Sequence, residues 1–343
     1  MPGTRPANPL GRSRIGFFVF PIAVLAVLNF LTAPAQGSQD PAGITRAKLR
    51  PGDILYADSG NGVDGGFIIK VDPNSGEQTV ISAGGNLISP FDVALDAQGQ
   101  LIVSDSGSCC KLIRIDPGTG QQTVIEDSSR QTLGAPLGLA VGSDGGVLVA
   151  NAQTLVRWDP STGAMQTVSS NGNFVAPIGV AIAGSAEVFV LNQAFPPQIL
   201  RVDPTTGGQV VVSAGGYLHS PQSIVAKNRD LYVSDVADPN GSFGVGRVIH
   251  IDARTGLQNI VSEGGNLVGP VGITLNQAGQ IVVGDPYTIN PNSPDLYDGA
   301  IIRIEPGTGA QTLIVRGRGS FVNPRGVAVV PSGLPAMSPP PGF

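Results

Sequence analysis

Two adjacent cysteines, Cys109 and Cys110, are the only thiols in the 343-residue sequence. In an oxidising compartment, neighbouring cysteines can close a strained disulfide, and strained exposed bridges tend to be labile. Two free thiols, or a bond to a second molecule, are the alternatives. We predict the vicinal bridge, and intact-mass measurement after alkylation, with and without reduction, would distinguish it from two free thiols.

The two histidines are the side chains best suited to proton transfer near neutral pH. His219 lies two residues before Pro221 in a connecting segment. His250 is interpreted as a substitution on the face of a strand. Four related segments have an arginine where His250 stands: Arg114, Arg157, Arg201 and Arg303.

An acid or amide recurs at the end of one apolar segment in every repeat of the chain. The six residues are Asp58, Asp105, Asn151, Asn192, Asp235 and Asp285. They could form a polar ring, or each could cap a strand by accepting a hydrogen bond from a loop amide. We favour capping, because every repeat has one whatever its loop contains. The acid-containing loops 58–64 and 285–298 could bind calcium, although both lack the closing Glu of a calcium loop.

The elements that position these residues are repeats of four short strands. In the clearest unit, 90–128, the strands are predicted at 93–95, 101–105, 112–116 and 122–125. Three markers each occur six times: the acid or amide above, an acid ending the third strand, and a Pro opening the first. A four-stranded repeat of this length is typical of a β-propeller blade. The sequence therefore predicts an all-β fold, a six-bladed β-propeller over residues 52–330.

The order of the markers predicts how the ring closes. The chain enters the repeats at a second strand, 54–58, and leaves them at an orphan first strand, 326–329. Pairing of these N- and C-terminal strands would complete one blade and remove the exposed edges of a linear array.

The connections at the two ends of each repeat differ in how much their length varies. The turn after the third strand is nearly constant, as in Asp-Pro-Asn-Ser-Gly at 72–76, where Pro presets φ and Gly takes the left-handed position. The loop joining strands two and three varies most, on the same face as the segment that enters the next blade. We expect this loop-rich face to bind a ligand or partner, because rigid scaffolds carry function on loops. Its longest loops are 236–246 and 286–299.

The termini predict export. Residues 1–35 combine a basic start, an apolar stretch over 15–31 and a small-x-small cleavage pattern at 33–35, as in a signal peptide. Cleavage would remove three arginines and no acid, which takes the formal charge from −5 to −8 and argues against nucleic-acid binding. The alternative is a retained membrane anchor. We expect a secreted or periplasmic protein with a linker over 36–51 and a Pro-rich tail over 331–343.

The repeats resemble NHL-type six-bladed propellers and, more loosely, the gluconolactonase/senescence-marker lactonases and virginiamycin B lyase. The resemblance covers residues 52–330 and is carried by Leu-Tyr-Val-Ser-Asp at 231–235, Ile-Arg-Ile at 302–304 and Pro-Arg-Gly-Val-Ala-Val at 324–329. Resemblance to the lactonases implies a divalent metal over the central channel, held by Asp or Asn just after the Pro that opens an inner strand. Resemblance to the lyase implies a catalytic histidine, for which His219 is the candidate.

The residues at the implied metal position do not supply such ligands. They are Phe91, Leu137, Ile178, Gln222, Val271 and Arg325. None is a carboxylate, and a hard cation needs oxygen ligands. Asp92, one residue further along, could be an isolated ligand. We therefore predict no metal site and no cofactor.

The predicted function is binding of a partner protein or small ligand on the loop-rich face, without catalysis. The candidate ligand-binding residues are Phe91, Asp92, Cys109, Cys110, Gln222 and Arg325. A lactonase-like hydrolase or lyase with an atypical channel site is the alternative. A structural repeat protein of the cell surface is a third possibility.

Overall fold

The computed structural model describes residues 48–60, 65–107, 110–125, 133–184, 186–236, 245–290, 293–317 and 323–333. The predicted signal peptide, most of the linker and most of the tail lie outside these residues and stay predictions. The described residues include no helix long and apolar enough to cross a membrane.

Regular structure in the described residues consists of β-strands, which form six four-stranded antiparallel sheets and one small hairpin. The inner strands are β4 (Pro90–Leu95), β8 (Pro136–Val141), β12 (Pro177–Ala183), β16 (Pro221–Lys227), β20 (Gly272–Leu275) and β26 (Pro324–Val329). The second strands are β1 (Ile54–Asp58), β5 (Leu101–Asp105), β9 (Val147–Asn151), β13 (Glu187–Asn192), β17 (Asp230–Asp235) and β21 (Ile281–Asp285).

The third and fourth strands complete each sheet toward the rim. The third strands are β2 (Phe67–Val71), β6 (Lys111–Ile115), β10 (Thr154–Trp158), β14 (Gln198–Val202), β18 (Arg247–Asp252) and β24 (Ala300–Ile304). The outer strands are β3 (Gln78–Ala83), β7 (Gln122–Ile125), β11 (Met165–Ser170), β15 (Gln209–Ala214), β19 (Gln258–Glu263) and β25 (Gln311–Arg316). The prediction of a six-bladed propeller is confirmed.

Blade 1 closes the ring as predicted. Its strand order is β26-β1-β2-β3, so the last strand of the chain pairs antiparallel with the first. Ile54 lies opposite Val329 in this pair, and the amide of Val330 donates to the carbonyl oxygen of Asp53 at 2.8 Å. The inner strand begins at Pro324, two residues earlier than the sequence pattern indicated. Blades 2 to 6 follow in chain order.

The second strands form the most deeply buried layer. Every residue of β1, β5, β9 and β21 is buried, because each blade packs face to face against a blade on either side. The core between blades 1 and 2, for example, joins Leu55 and Ile68 to Leu101 and Val103. Strands buried on both faces need continuous apolar residues, which explains runs such as Leu-Ile-Val at 101–103.

The turn after the third strand is a hairpin turn, as predicted, and it also joins neighbouring blades. In blade 4 the Oδ1 atom of Asp203 accepts hydrogen bonds from the amides of Thr205 (2.8 Å) and Thr206 (3.2 Å), and Gly207 has a φ of 72°. A Cβ atom on Gly207 would lie 2.6 Å from the carbonyl oxygen of Val168 in blade 3. These turns therefore extend to the rim, where they contact the outer strand of the preceding blade.

One predicted loop contains additional structure. The segment 286–299 of blade 6 forms a small hairpin from β22 (Ile289–Asn290) and β23 (Ser293–Tyr297). The loop between the second and third strands of blade 6 is therefore long enough for the chain to pair with itself. Most of the other long loop, 237–244, lies outside the described residues.

Candidate functional site

The acid or amide at the end of each second strand anchors the segment that leads into an inner strand. In blade 2 the Oδ2 atom of Asp105 accepts hydrogen bonds from the amides of Ile88 (2.7 Å) and Ser89 (3.0 Å). Equivalent pairs of bonds go to Asn151, Asn192, Asp235 and Asp285, and Asp58 accepts one from Asn323. Capping is therefore confirmed, and the loop-rich face is fixed to the scaffold in every blade.

Burial controls the protonation of these capping acids. Desolvation raises the pKa of Asp285 to about 6, although the amides of Val268 and Gly269 donate to its carboxylate and partly offset the effect. Burial likewise raises the pKa of Asp58 and Asp235. A buried charge is costly at these positions. Blades 3 and 4 avoid that cost, because their Asn caps accept the same two amide bonds without a charge.

Phe91 and Arg325, two of the predicted ligand-binding residues, lie together at the loop end of the inner strands. The guanidinium carbon of Arg325 is 5.9 Å from the centre of the Phe91 ring, and its Nε atom donates to the hydroxyl of Ser59 at 3.1 Å. The side chain of Asn323 donates to the same hydroxyl at 2.6 Å. Burial lowers the pKa of Arg325, and the proximity of Tyr287 and Asp58 partly offsets this effect.

Two glycines of blade 6 make room for the backbone of Arg325. A Cβ atom on Gly272 would overlap the carbonyl oxygen of Arg325, and one on Gly284 would lie 3.0 Å from it. Such close backbone contact is possible only where a side chain is absent. Arg325 is therefore positioned by its own blade, by blade 6 through these glycines and by blade 2 through Phe91.

Asp92 and Gln222 take other contacts. The Oδ2 atom of Asp92 accepts a hydrogen bond from the amide of Leu139 at 2.9 Å, which joins blade 2 to blade 3, and burial raises its pKa to about 7. The side chain of Gln222, in blade 5, donates to the carbonyl oxygen of Ser220 at 2.9 Å. Asp92 also borders blade 1, since a Cβ atom on Gly326 would overlap its Oδ1 atom. The predicted roles of Asp92 and Gln222 in ligand binding stay predictions.

His219 and Cys110 lie near the outer part of the loop-rich face. The amide of His219 donates to Asp235 at 2.9 Å, while its exposed imidazole makes no hydrogen bond to a described residue. Cys110 is half-buried, and its amide donates to the carbonyl oxygen of Gly107 at 3.1 Å. Cys109 lies outside the described residues, so the vicinal disulfide stays a prediction, as does the catalytic role of His219.

Metal binding requires several side-chain ligands within reach of one ion. Within the ranges that the structure describes, no three side chains of His, Cys, Asp and Glu lie close enough to hold one ion. The acid-containing loops 58–64 and 285–298 each include residues outside those ranges. Their calcium binding is therefore untested.

Exposed apolar side chains concentrate on one part of the ring. Nine large apolar residues are exposed among those described, and eight of them belong to blades 4 and 5 or to the segments that enter them. We call these eight the apolar sector: Val175, Phe195, Val210, Val211, Tyr217, Val245, Leu257 and Ile260. The ninth, Ile88, enters blade 2. The sector extends from the loop-rich face, where Phe195 is fully exposed, to the outer strands.

A groove at the rim lies within the apolar sector. It has a volume of about 620 Å³ and runs between the outer strand of blade 4 and the turn of blade 5, with Tyr217 and Leu257 in its walls. None of its lining residues is charged. The corresponding groove between blades 6 and 1 has a similar volume, about 630 Å³, but is lined in part by Glu77 and Arg316. The groove in the sector is thus distinguished by its lack of charge.

The sequence analysis did not identify a set of hydrogen bonds that joins neighbouring outer strands. In blade 2, Nε2 of Gln122 donates to the hydroxyl of Ser82 and the carbonyl oxygen of Gly84, both at 3.0 Å, and its Oε1 accepts from the amide of Asn86 at 2.7 Å. The same three bonds are made by Gln209, Gln258 and Gln311. A Gln opens the outer strand in every blade except blade 3, where Met165 stands, and that recurrence was the available signal.

Comparison with known proteins supports the fold. No family model and no curated protein matches the sequence. Among solved structures, the chain is similar to one in a nidogen/laminin complex, with a TM-score of 0.62 and 14% identity over 80% of this chain and 97% of that chain. At this identity the similarity establishes the six-bladed propeller fold alone, while the narrower resemblance to NHL-type propellers and to the lactonase and lyase group stays a prediction.

Proposed function

We propose that this protein is an exported, non-catalytic β-propeller that binds a partner protein through the apolar sector. The observation that carries the proposal is the concentration of exposed apolar side chains in two of six otherwise equivalent blades. Contiguous exposed apolar surface on a soluble protein commonly marks an interaction site. Scaffold requirements cannot account for it, because all six blades share the same architecture.

The chemistry of the sector indicates the kind of partner. The formal charge of the chain is −5, yet the groove between blades 4 and 5 is lined without charge. An uncharged apolar segment would therefore fit the groove, whereas a strongly charged segment would lose solvation without gaining an ion pair. Tyr217, in the groove wall, can combine apolar contact with a polar hydroxyl, as interface aromatics commonly do.

The loop before the third strand of blade 4 contacts the segment that lines this groove. Pro196, next to Phe195, packs against Gly215, and the amide of Gly215 donates to the carbonyl oxygen of Pro197 at 2.9 Å. The loop that carries Phe195 is therefore attached to the segment that carries Tyr217. The propeller in the nidogen/laminin complex supports the proposal only as a chain of the same fold within a protein complex.

The test is differential capture of a partner. The tagged chain would be incubated with envelope and secreted fractions of its source as wild type, as Phe195→Ser/Tyr217→Ser and as Ile88→Ser. We expect one protein species to be retained by the wild type and by Ile88→Ser, an exposed apolar residue outside the sector, and lost from the double variant. Equal capture by all three would contradict the proposal.

Export and the absence of catalysis have separate tests. Mass spectrometry of the secreted or periplasmic chain should find an N-terminus at Gln36, whereas an intact N-terminus in the membrane fraction would indicate a retained anchor. Elemental analysis of the purified protein should find no stoichiometric metal. Bound calcium, magnesium or zinc together with hydrolysis of a lactone would favour the enzyme alternative.

A further inference from the structure

We propose that Arg325 forms a binding site for a carboxylate at the loop end of the central axis, separate from the apolar sector. Arg325 is the second residue of the innermost strand of blade 1, and the inner strands of all blades surround the axis. It is the one cation among the six residues that follow the opening Pro of an inner strand. The other five are apolar residues or an amide, so the scaffold does not require an arginine there.

The guanidinium group has donors that no described residue uses. Only its Nε atom donates a hydrogen bond, to Ser59, and its two terminal nitrogens have no hydrogen-bond partner among the described residues. No described carboxylate lies within ion-pair distance of it. Asp58, whose charge acts on Arg325, accepts bonds from the amides of Gly60 (2.8 Å) and Asn323 (3.1 Å). Desolvating an arginine is unfavourable, and a bound anion would offset that cost.

The surroundings hold the guanidinium in a fixed orientation. Its Nε atom is bonded to Ser59, whose hydroxyl is itself held by Asn323, and one side of the group lies over the Phe91 ring. An arginine held in this way presents its two terminal nitrogens as a fork that matches the two oxygens of a carboxylate. Phe91 would contact the carbon atoms next to the bound group.

The charge balance favours a carboxylate over a phosphate. Arg325 supplies one positive charge, and Asp58 contributes negative potential nearby. A single guanidinium can neutralise a singly charged carboxylate, whereas a doubly charged phosphate would leave an excess of negative charge beside Asp58. The carboxylate could belong to a small molecule or to the C-terminus of a peptide, and the two sources can be distinguished by experiment.

The test measures binding of defined anions to the mature chain by isothermal titration calorimetry. The probes are acetate, succinate, inorganic phosphate, and one tripeptide with either a free or an amidated C-terminus. We expect saturable binding of a carboxylate probe. Binding of the free tripeptide but not its amide would assign the site to a peptide terminus, and tighter binding of succinate would assign it to small acids.

The variants identify the residue responsible. Arg325→Gln should weaken binding by about tenfold or more, because the charge and the fork are both lost, and Arg325→Lys should weaken it less. Arg201→Gln, which removes an exposed arginine of blade 4, should leave binding unchanged. Should Arg325→Gln fail to fold, Arg325→Lys provides the comparison. Equal binding by the Arg325 variants, tighter binding of phosphate, or no saturable binding would each overturn the proposal, whatever the result of partner capture.

Discussion

Asp285 and Asp203 both accept hydrogen bonds from backbone amides, but one is buried and the other exposed. Their pKa values are shifted in opposite directions. Each accepts bonds from at least two backbone amides. Asp285 caps a second strand in the interior, and burial raises its pKa to about 6, whereas Asp203 lies in an exposed turn, where the amides of Thr205 and Thr206 lower its pKa. Desolvation therefore outweighs amide hydrogen bonding at the caps, and the reverse holds in the turns.

The same contrast recurs around the ring. The pKa is raised by burial at Asp58 and Asp235, which are caps. Hydrogen bonds lower it at three acids of the turns: chiefly from backbone amides at Asp72 and Asp252, and from the side chain and then the amide of Ser161 at Asp159. The capping acids anchor the loop-rich face but are desolvated, whereas the turn acids accept their hydrogen bonds while exposed to solvent. The two sets should differ in how strongly they control stability and in how they respond to pH.

The largest difference is expected when a cap is removed. Asp285→Ala leaves the buried amides of Val268 and Gly269 and the amide of Tyr287 without acceptors, and should lower the free energy of unfolding by about 3 kcal/mol or more. Asp203→Ala should cost much less, because water can bond the exposed turn amides. Urea denaturation of both variants measures the difference. Similar losses at the two sites would show that burial does not distinguish caps from turns.

Asp285→Asn is the matched control for that comparison. Blades 3 and 4 already use Asn at this position with the same two amide bonds. The substitution should therefore retain most of the stability that Asp285→Ala loses. A loss as large as that of the alanine variant would indicate that the bond from Tyr287, which Asn cannot accept in the same way, dominates the cap.

The second prediction concerns Gln258, which links the turn end of blade 5 to the loop end of blade 4. Gln258 lies at the turn end of blade 5 and bonds the loop end of blade 4 through Ser213, Gly215 and Tyr217. Gln258→Met, which copies Met165 of blade 3, should cost about 1 to 3 kcal/mol because these polar groups lose their partner. Thermal unfolding measures the loss. An unchanged midpoint would contradict a stabilising role for these bonds.

The third prediction is a gain in stability on moderate acidification. An acid whose pKa is raised on folding binds protons more tightly in the folded than in the unfolded chain between its unfolded and folded pKa values. Asp285, at about 6, and Asp92, at about 7, compared with an ordinary value of 3.8, should therefore stabilise the fold as pH falls from 8 to 5. Below 3.8 the turn acids, whose pKa is lowered, should reverse the trend as they become protonated.

Urea denaturation at several pH values checks this prediction. Asp285→Asn should flatten part of the rise in stability between pH 8 and pH 5, because the variant has no titrating group at the cap. A decrease in the stability of the wild type over that interval would mean that the caps remain charged in the folded protein.

The features that recur in every blade could be predicted from the sequence, because the same residue types appear at equivalent positions of several repeats. The blade count, the ring closure, the turn chemistry and the capping role of Asp105 and its equivalents all follow from positions that recur. Features defined by contact between different blades were not accessible. Arg325 lies over Phe91 of blade 2, and its backbone packs against Gly272 of blade 6. No local sequence pattern predicts these contacts between blades.

The smallest effect is expected in the one turn whose second residue departs from the Pro consensus. Blade 5 has Ala253 there, and its amide donates to the carbonyl oxygen of Arg229 at 2.9 Å. Ala253→Pro would restrict the unfolded chain, which typically stabilises by about 0.4 to 1 kcal/mol. It would also remove that hydrogen bond, at a cost of about 0.5 to 1.5 kcal/mol. The two terms nearly cancel, so the unfolding midpoint in urea should stay close to that of the wild type. A clear stabilisation would show that the bond to Arg229 contributes little, and the absence of Pro from this turn would then have no energetic explanation in the folded state.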